Sequence, residues 1–117
     1  MLFHREVYLP PAAQKLVGRK FPLNYSYHAM LACVRDNYGP VEKPPFEVTI
    51  TAENLIELEA DEKGNLIKVV VRQTYDERRD ISFAFFLFDG YVKSVWTNLK
   101  TDIHSTLDKQ KYIAKPA

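Results

Sequence analysis

ISFAFFLF, at positions 81–88, does most to narrow what this chain can become. It is almost unbroken apolar sequence, rich in aromatic and β-branched residues, and too short to be a long helix. Such a run reads as a strand buried on both faces, and so placed centrally in a sheet. A polar stretch, DERRD, precedes it, and Asp89–Gly90 follows as a hairpin signal that turns the chain back into YVKSVWTN.

The segments around it keep a period of two. Phe46, Val48 and Ile50 alternate with Glu47, Thr49 and Thr51, and Ile56, Leu58 and Ala60 repeat the pattern. DEKGN is a turn in which Gly64 supplies a positive φ, and LIKVVVRQTY is a long strand. Strands are therefore expected at about 46–51, 55–60, 66–75, 81–88 and 91–98, followed by a tail over 99–117.

Before Phe46 the pattern is helical. Pro11 suits a first helical position, and Gly18 and Pro22 end a short helix over about 11–18. A second helix is expected at 25–38, capped by Asn24 or Ser26 and closed by Asn37, Gly39 and Pro40. Its apolar stripe reads as Tyr27, Met30, Leu31, Val34 and Tyr38. Helices first and strands second is the α+β order. The expected fold is a single α+β domain over 1–117, with two N-terminal helices packed on a four- to five-stranded antiparallel meander sheet. The opposite sheet face is then a place to lay a ligand.

Bulk properties exclude several classes. A net charge of +1 gives no global field toward nucleic acid, although Glu42 to Lys63 is acidic and both ends are basic. The single cysteine, Cys33, rules out an internal disulfide framework and points to a reducing, cytoplasmic setting. The apolar runs are too short to cross a bilayer, and MLFHREVYLPP has no leader pattern, so no membrane is expected as a partner. The histidines lie far apart, Cys33 stands alone, and only four glycines are present; neither a metal nor any other cofactor is expected.

Chemistry has to come from scattered residues. His28 sits at the border of the helical stripe, where a partly wet imidazole can exchange a proton near neutral pH; a satisfied boundary histidine is the plainer reading. Arg72 projects from a valine-rich strand, and on an open face it is a fixed cation that can grip a phosphate with two parallel hydrogen bonds. Tyr75 stands at that strand's end, while Arg78 and Arg79 read as solvated loop residues. Alternation puts Val92, Ser94, Trp96 and Asn98 on one face, where Ser94 and Trp96 offer a hydroxyl and a stacking platform; Trp96 as plain core is the alternative. Lys100, His104, Ser105, Thr106 and Lys109 then form a run dense in groups that donate to phosphate.

YSYHAMLACVRDNYG is similar to an S-x-HA helix found in small phage and toxin-like proteins, and VKSVWTN with DIHSTLDKQKY resembles the terminal strand and tail of such proteins. The order of elements, from Pro11 to Tyr112, resembles the metal-independent ribonuclease fold of barnase-like, RelE-like and colicin-type toxins. In colicin-D-type nucleases a helix histidine works beside a serine and a tryptophan two apart on a strand, and His28, Ser94 and Trp96 occupy the matching positions. The resemblance implies an endoribonuclease acting on tRNA or mRNA and leaving a 2′,3′-cyclic phosphate. His28 or His104 would be the base and Arg72 or a tail lysine would stabilise the phosphoryl charge, with Tyr75, Ser94, Trp96, Asn98, Lys100 and Lys109 holding the RNA. Two other classes fit the same residues. One is a non-catalytic phage-type inhibitor that docks on a host or antitoxin-like protein through VTITAENLIELEAD; the other is a ribonuclease-like scaffold without its chemistry.

Overall fold

The computed structural model describes residues 11–102. In chain order these form α1 (Pro11–Gln14), β1 (Lys20–Pro22), β2 (Asn24–Tyr25), α2 (Tyr27–Val34), β3 (Glu47–Thr49), β4 (Leu55–Ala60), β5 (Leu66–Thr74), β6 (Arg79–Phe86) and β7 (Tyr91–Leu99). The main sheet has the order β2-β7-β6-β5-β4, and β1 pairs with β3 in a separate two-stranded ribbon.

The strand expected over 81–88 is β6 (Arg79–Phe86), which takes the central place its apolar run implies, while Leu87 and Phe88 fall in the following turn and Phe88 is 96% exposed. Phe83 and Phe85 on one face and Ser82 and Ala84 on the other are all buried. β5 and β7 flank it in antiparallel register, Val71 opposite Phe83 and Phe83 opposite Val95. Ile81, Phe83, Phe85, Val69, Val71 and Val95 meet Ala29, Cys33, Phe21, Leu23, Val48 and Ile50 in the main core. Two helical segments and the β1–β3 ribbon thus supply the cover over one sheet face.

The expected architecture of two helices on an antiparallel meander is corrected here in three respects. The first helix, expected over 11–18, is a single turn of four residues. Its continuation tightens through Leu16 N–H to the Ala13 carbonyl (2.9 Å), and Gly18, at φ +90°, donates to the Ile50 carbonyl (2.8 Å), which draws the chain into β1. Second, the sheet is mixed. β2 runs parallel to β7, with Asn24 opposite Tyr91 and Tyr25 opposite Val92. Third, the segment expected as the first meander strand never joins that sheet. It is β3, which pairs instead with β1 in a separate ribbon, Phe21 opposite Val48. Strands of two and three residues are shorter than any period a sequence can display.

The helix expected over 25–38 runs only from Tyr27 to Val34. Ser26 caps it, its hydroxyl accepting from Ala29 N–H at 3.0 Å. After the Arg35 C-cap, Asp36 turns away to accept from Thr97 N–H at 2.9 Å and from the Thr97 hydroxyl. Gly39, at φ +119°, then completes a turn in place of further helix.

The buried side of α2 also differs from the expected stripe. Ala29 and Cys33 face the sheet, while Tyr27 (79% exposed), Met30 (57%) and Val34 (66%) face solvent. Small residues inside let the short helix lie close to β7, and the larger apolar residues are left outside. Among the described residues, no helix is long and apolar enough to cross a membrane.

Candidate functional site

The candidate residues are distributed over both faces of the sheet. On the face away from α2, pairing aligns Arg72 with Ser82 and Ser82 with Trp96 in one row across β5, β6 and β7. The adjacent rows hold Val70, Ala84 and Ser94, and then Thr74, Asp80 and Asn98. Ser94, Trp96 and Asn98 therefore share a face, as strand alternation implies, and the register of β5, β6 and β7 places Arg72 on it too. Val92 does not share it. A register shift between Ala84 and Phe85 skips Lys93 and turns Val92 into the main core.

This face is not an open groove at its centre. Ile56, Val70 and Ala84 are 3%, 3% and 4% exposed, and half-buried Trp96 packs against them. Arg72 is buried and its guanidinium is already engaged. Nε donates to Asp80 Oδ2 at 2.9 Å, and Nη2 to the carbonyls of Leu99 (3.2 Å) and Asp102 (3.1 Å). Lys100 Nζ donates to Asp80 Oδ1 at 3.1 Å and to Thr74 Oγ1 at 3.3 Å. The Ser82 hydroxyl lies 3.2 Å from Asn98 Oδ1 and donates to it. One carboxylate is thus shared by two cations, and the arrangement fastens the end of β7 to β5 and β6. A buried pair of this kind is expensive to disturb and poorly placed to change partners during a reaction.

His28 is elsewhere. It is exposed on α2, whose Ala29 and Cys33 bury against the other face of the sheet. The sheet thus lies between its imidazole and the row of Arg72, Ser94 and Trp96. His104 and Lys109, with Ser105 and Thr106, lie outside the described residues.

Tyr75 also faces the α2 side, at the end of β5. It stands in a cleft of about 540 Å³ between residues 40–45 and the β5–β6 hairpin. Its hydroxyl accepts from Lys43 N–H at 3.0 Å, and the Arg79 guanidinium lies over its ring, 5.0 Å from the centroid. Arg79 is not the solvated loop residue expected from DERRD; it is 7% exposed and belongs to β6. It donates to Asp76 Oδ2 (3.0 Å), to the Gly39 carbonyl (2.6 Å) and to the Pro40 carbonyl (3.4 Å), and Asp36 lies 4.0 Å away. The cation clamps the segment after α2 onto the hairpin. Its carboxylate partner Asp76 is held below the usual range, chiefly by the Arg78 backbone N–H; burial opposes this, and the backbone N–H, side chain and charge of Arg79 lower it further.

Two groups on the α2 side titrate high. Burial, then the charge of Asp36, pushes the Cys33 thiol up. Burial, then Cys33, pushes the Tyr25 hydroxyl up as well, and that hydroxyl donates to the Pro45 carbonyl at 2.8 Å. Neither is primed as a nucleophile, since a reactive thiol needs its pKa lowered. Among the described residues, no group of three or more His, Cys, Asp and Glu side chains gathers as a metal site.

The features that sequence reading passed over are the outward face of α2, the Arg79 clamp and Asp36. For α2 a signal was present: Ala29, Ala32 and Cys33 are spaced as one helical face, and small residues mark a close approach as well as apolar ones do. Arg79 and Asp36 left no such signal, because they lie 43 positions apart in the chain and nothing local couples them.

Neither the protein-family models, nor the curated proteins, nor the solved structures contain a match to this chain.

Proposed function

We propose that this protein is a non-catalytic binding module that docks on another protein through the outward face of α2. The observation that carries the reading is the exposure of Tyr27, Met30 and Val34 on one face of a helix whose small residues face inward. Helical spacing sets these three side chains in a row, the form in which a helix presents anchors to an apolar groove. Arg35 caps the helix beside them, exposed and without an ion pair among the described residues, and α2 itself has no acidic residue. The partner is therefore a protein with an apolar groove and an acidic rim. Phe46, 84% exposed, adds an aromatic beside the root of the helix, where its carbonyl accepts from Leu23 N–H.

The acidic edge strand supports docking less well. β4 is the last strand of the sheet, but its ladder carries two register shifts, and Glu59 is paired with Lys68 at 3.0 Å. Bulges and charges of this kind are how edge strands resist pairing with another chain. With His28 as its base, the ribonuclease reading needs that imidazole beside Arg72, Ser94 and Trp96, and the sheet stands between them; the other base named for it, His104, lies outside the described residues. A reducing cytoplasm is the compartment that suits a buried free thiol such as Cys33.

The test uses Met30→Asp with Val34→Asp, both at exposed positions, in affinity purification from the native lysate followed by reconstitution with the purified partner. Binding should weaken at least about tenfold, since burying each such side chain contributes about 1.5–3 kcal/mol. Reversing Glu57 and Glu59 should leave it unchanged. A partner lost only on the glutamate reversal would move the interface to β4. RNA cleavage by the wild type that disappears in His28→Ala would replace the reading with the enzyme.

A further inference from the structure

At the opposite end of the core a second cavity, of about 330 Å³, opens between the α1–β1 connection and the β4–β5 turn. Leu16, Phe21, Leu66 and Leu87 form its apolar wall, and Lys15 and Arg19 stand at its margin. No acidic side chain lines it. The Arg19 guanidinium lies over the Phe21 ring at 5.1 Å from the centroid. Neither the Lys15 ammonium nor the Arg19 guanidinium has a hydrogen bond or ion pair among the described residues.

Of the carboxylates on the flanking elements, Glu47 and Asp61 are committed elsewhere, while Glu62 is exposed in the β4–β5 turn and has no ion pair among the described residues. Glu47 pairs with Lys20 at 3.4 Å. Asp61 accepts from Lys63 and Asn65 N–H within its own turn, both at 2.9 Å. Two cations whose side chains have no ion pair among the described residues thus border an apolar cavity, an arrangement that raises the local concentration of anions and rewards an apolar body behind the charge.

We infer that this cavity is a binding site for a small amphiphilic anion, a carboxylate with a short aliphatic or aromatic body. Its size is at the lower end of small-molecule sites, so the ligand is short. Arg19 takes the carboxylate through two parallel N–H donors, Lys15 adds a point charge, and the leucines with Phe21 take the tail. The site is independent of the α2 face, which contributes nothing to its lining.

Titration of the full chain with octanoate, followed by amide NMR, tests it. Octanoate should shift the amides of Gly18, Gly64 and Asn65 saturably at millimolar concentration or below. Arg19→Ala should weaken that binding about tenfold, the loss expected for one charge-assisted pair, and Lys15→Ala should weaken it less. Acetate, which lacks the tail, and octanol, which lacks the charge, should both bind much more weakly. Octanol binding as tightly as octanoate would overturn the inference, as would octanoate binding of unchanged affinity in Arg19→Ala or no saturable shift at all. Both substituted residues are exposed, and unchanged spectra away from the cavity confirm that each variant is folded.

Discussion

Arg79 shows how far one side chain's role depends on partners remote in sequence. DERRD reads as a solvated loop, yet the last arginine of the pair is buried, with Asp76 three residues before it and Gly39, Pro40 and Asp36 about forty before it. Arg79→Ala would take the donors from Asp76 Oδ2 and from the Gly39 and Pro40 carbonyls, and remove the cation beside Asp36, which is 6% exposed at its side chain and keeps its bonds from Thr97. Removing one member of a buried pair costs about 3–5 kcal/mol. Urea denaturation should show a loss of that order, and Arg79→Lys should recover only part of it, since an ammonium cannot span the same fork of acceptors. A loss under about 1 kcal/mol for the alanine variant would mean that the clamp is incidental. Arg72 tells the same story on the other face. Its presence in a valine-rich strand correctly signals something unusual, but the partner is Asp80, two strand positions beyond the hairpin, and the role is fastening.

Among elements, the β6–β7 hairpin and α2 make opposite points. Asp89–Gly90 signals a hairpin from local chemistry alone, and the hairpin forms. Gly90 carries a second constraint that no turn rule contains. A Cβ there would come within 1.9 Å of the Pro22 carbonyl oxygen, at φ +75°, because β2 runs beside the start of β7. Gly90→Ala should therefore cost on the order of 3 kcal/mol or more, well above the ~1 kcal/mol of a turn glycine alone. Thermal unfolding measures it; a cost near 1 kcal/mol would show that the Pro22–Asn24 connection yields easily. For α2 the periodicity was legible and its direction was not. Two helical arcs, one of small residues and one of large, compete for the sheet, and size alone points to the wrong one. Close packing against β7 selects Ala29 and Cys33.

For the whole molecule, the near balance of charge conceals an uneven division of work. Asp61 and Asp76 hold the β4–β5 and β5–β6 turns, and both carboxyls titrate low, chiefly through backbone N–H donors from Asn65 and Arg78 respectively. Each is ionised in the fold to a lower pH than in the unfolded chain, where a carboxyl titrates near about 3.9. Their stabilisation is thus complete above that value and lost as pH falls through the lower folded values. Melting temperature should decline below about pH 4, and Asp76→Asn should flatten part of that decline. Parallel acid curves for variant and wild type would remove Asp76 from the account. The Asp80 carboxylate, shared by Arg72 and Lys100, makes the same sheet end dependent on charge.

The strands β4 to β7, their turns and the central position of β6 could be read from residue order, because alternation, apolar run length and turn chemistry are local properties that a strand expresses wherever it is placed. The partners of the short pieces could not. Lys20–Pro22 and Asn24–Tyr25 are too brief to carry a period and become strands only because β3 and β7 offer them backbone ladders. The candidate site divides in the same way. That Ser94, Trp96 and Asn98 share a face follows from the two-residue repeat, whereas their sharing it with Arg72 depends on strand register, and the side on which His28 falls depends on which sheet face α2 covers. That choice is made by packing between residues some sixty positions apart, and packing at such range leaves no trace in neighbouring letters.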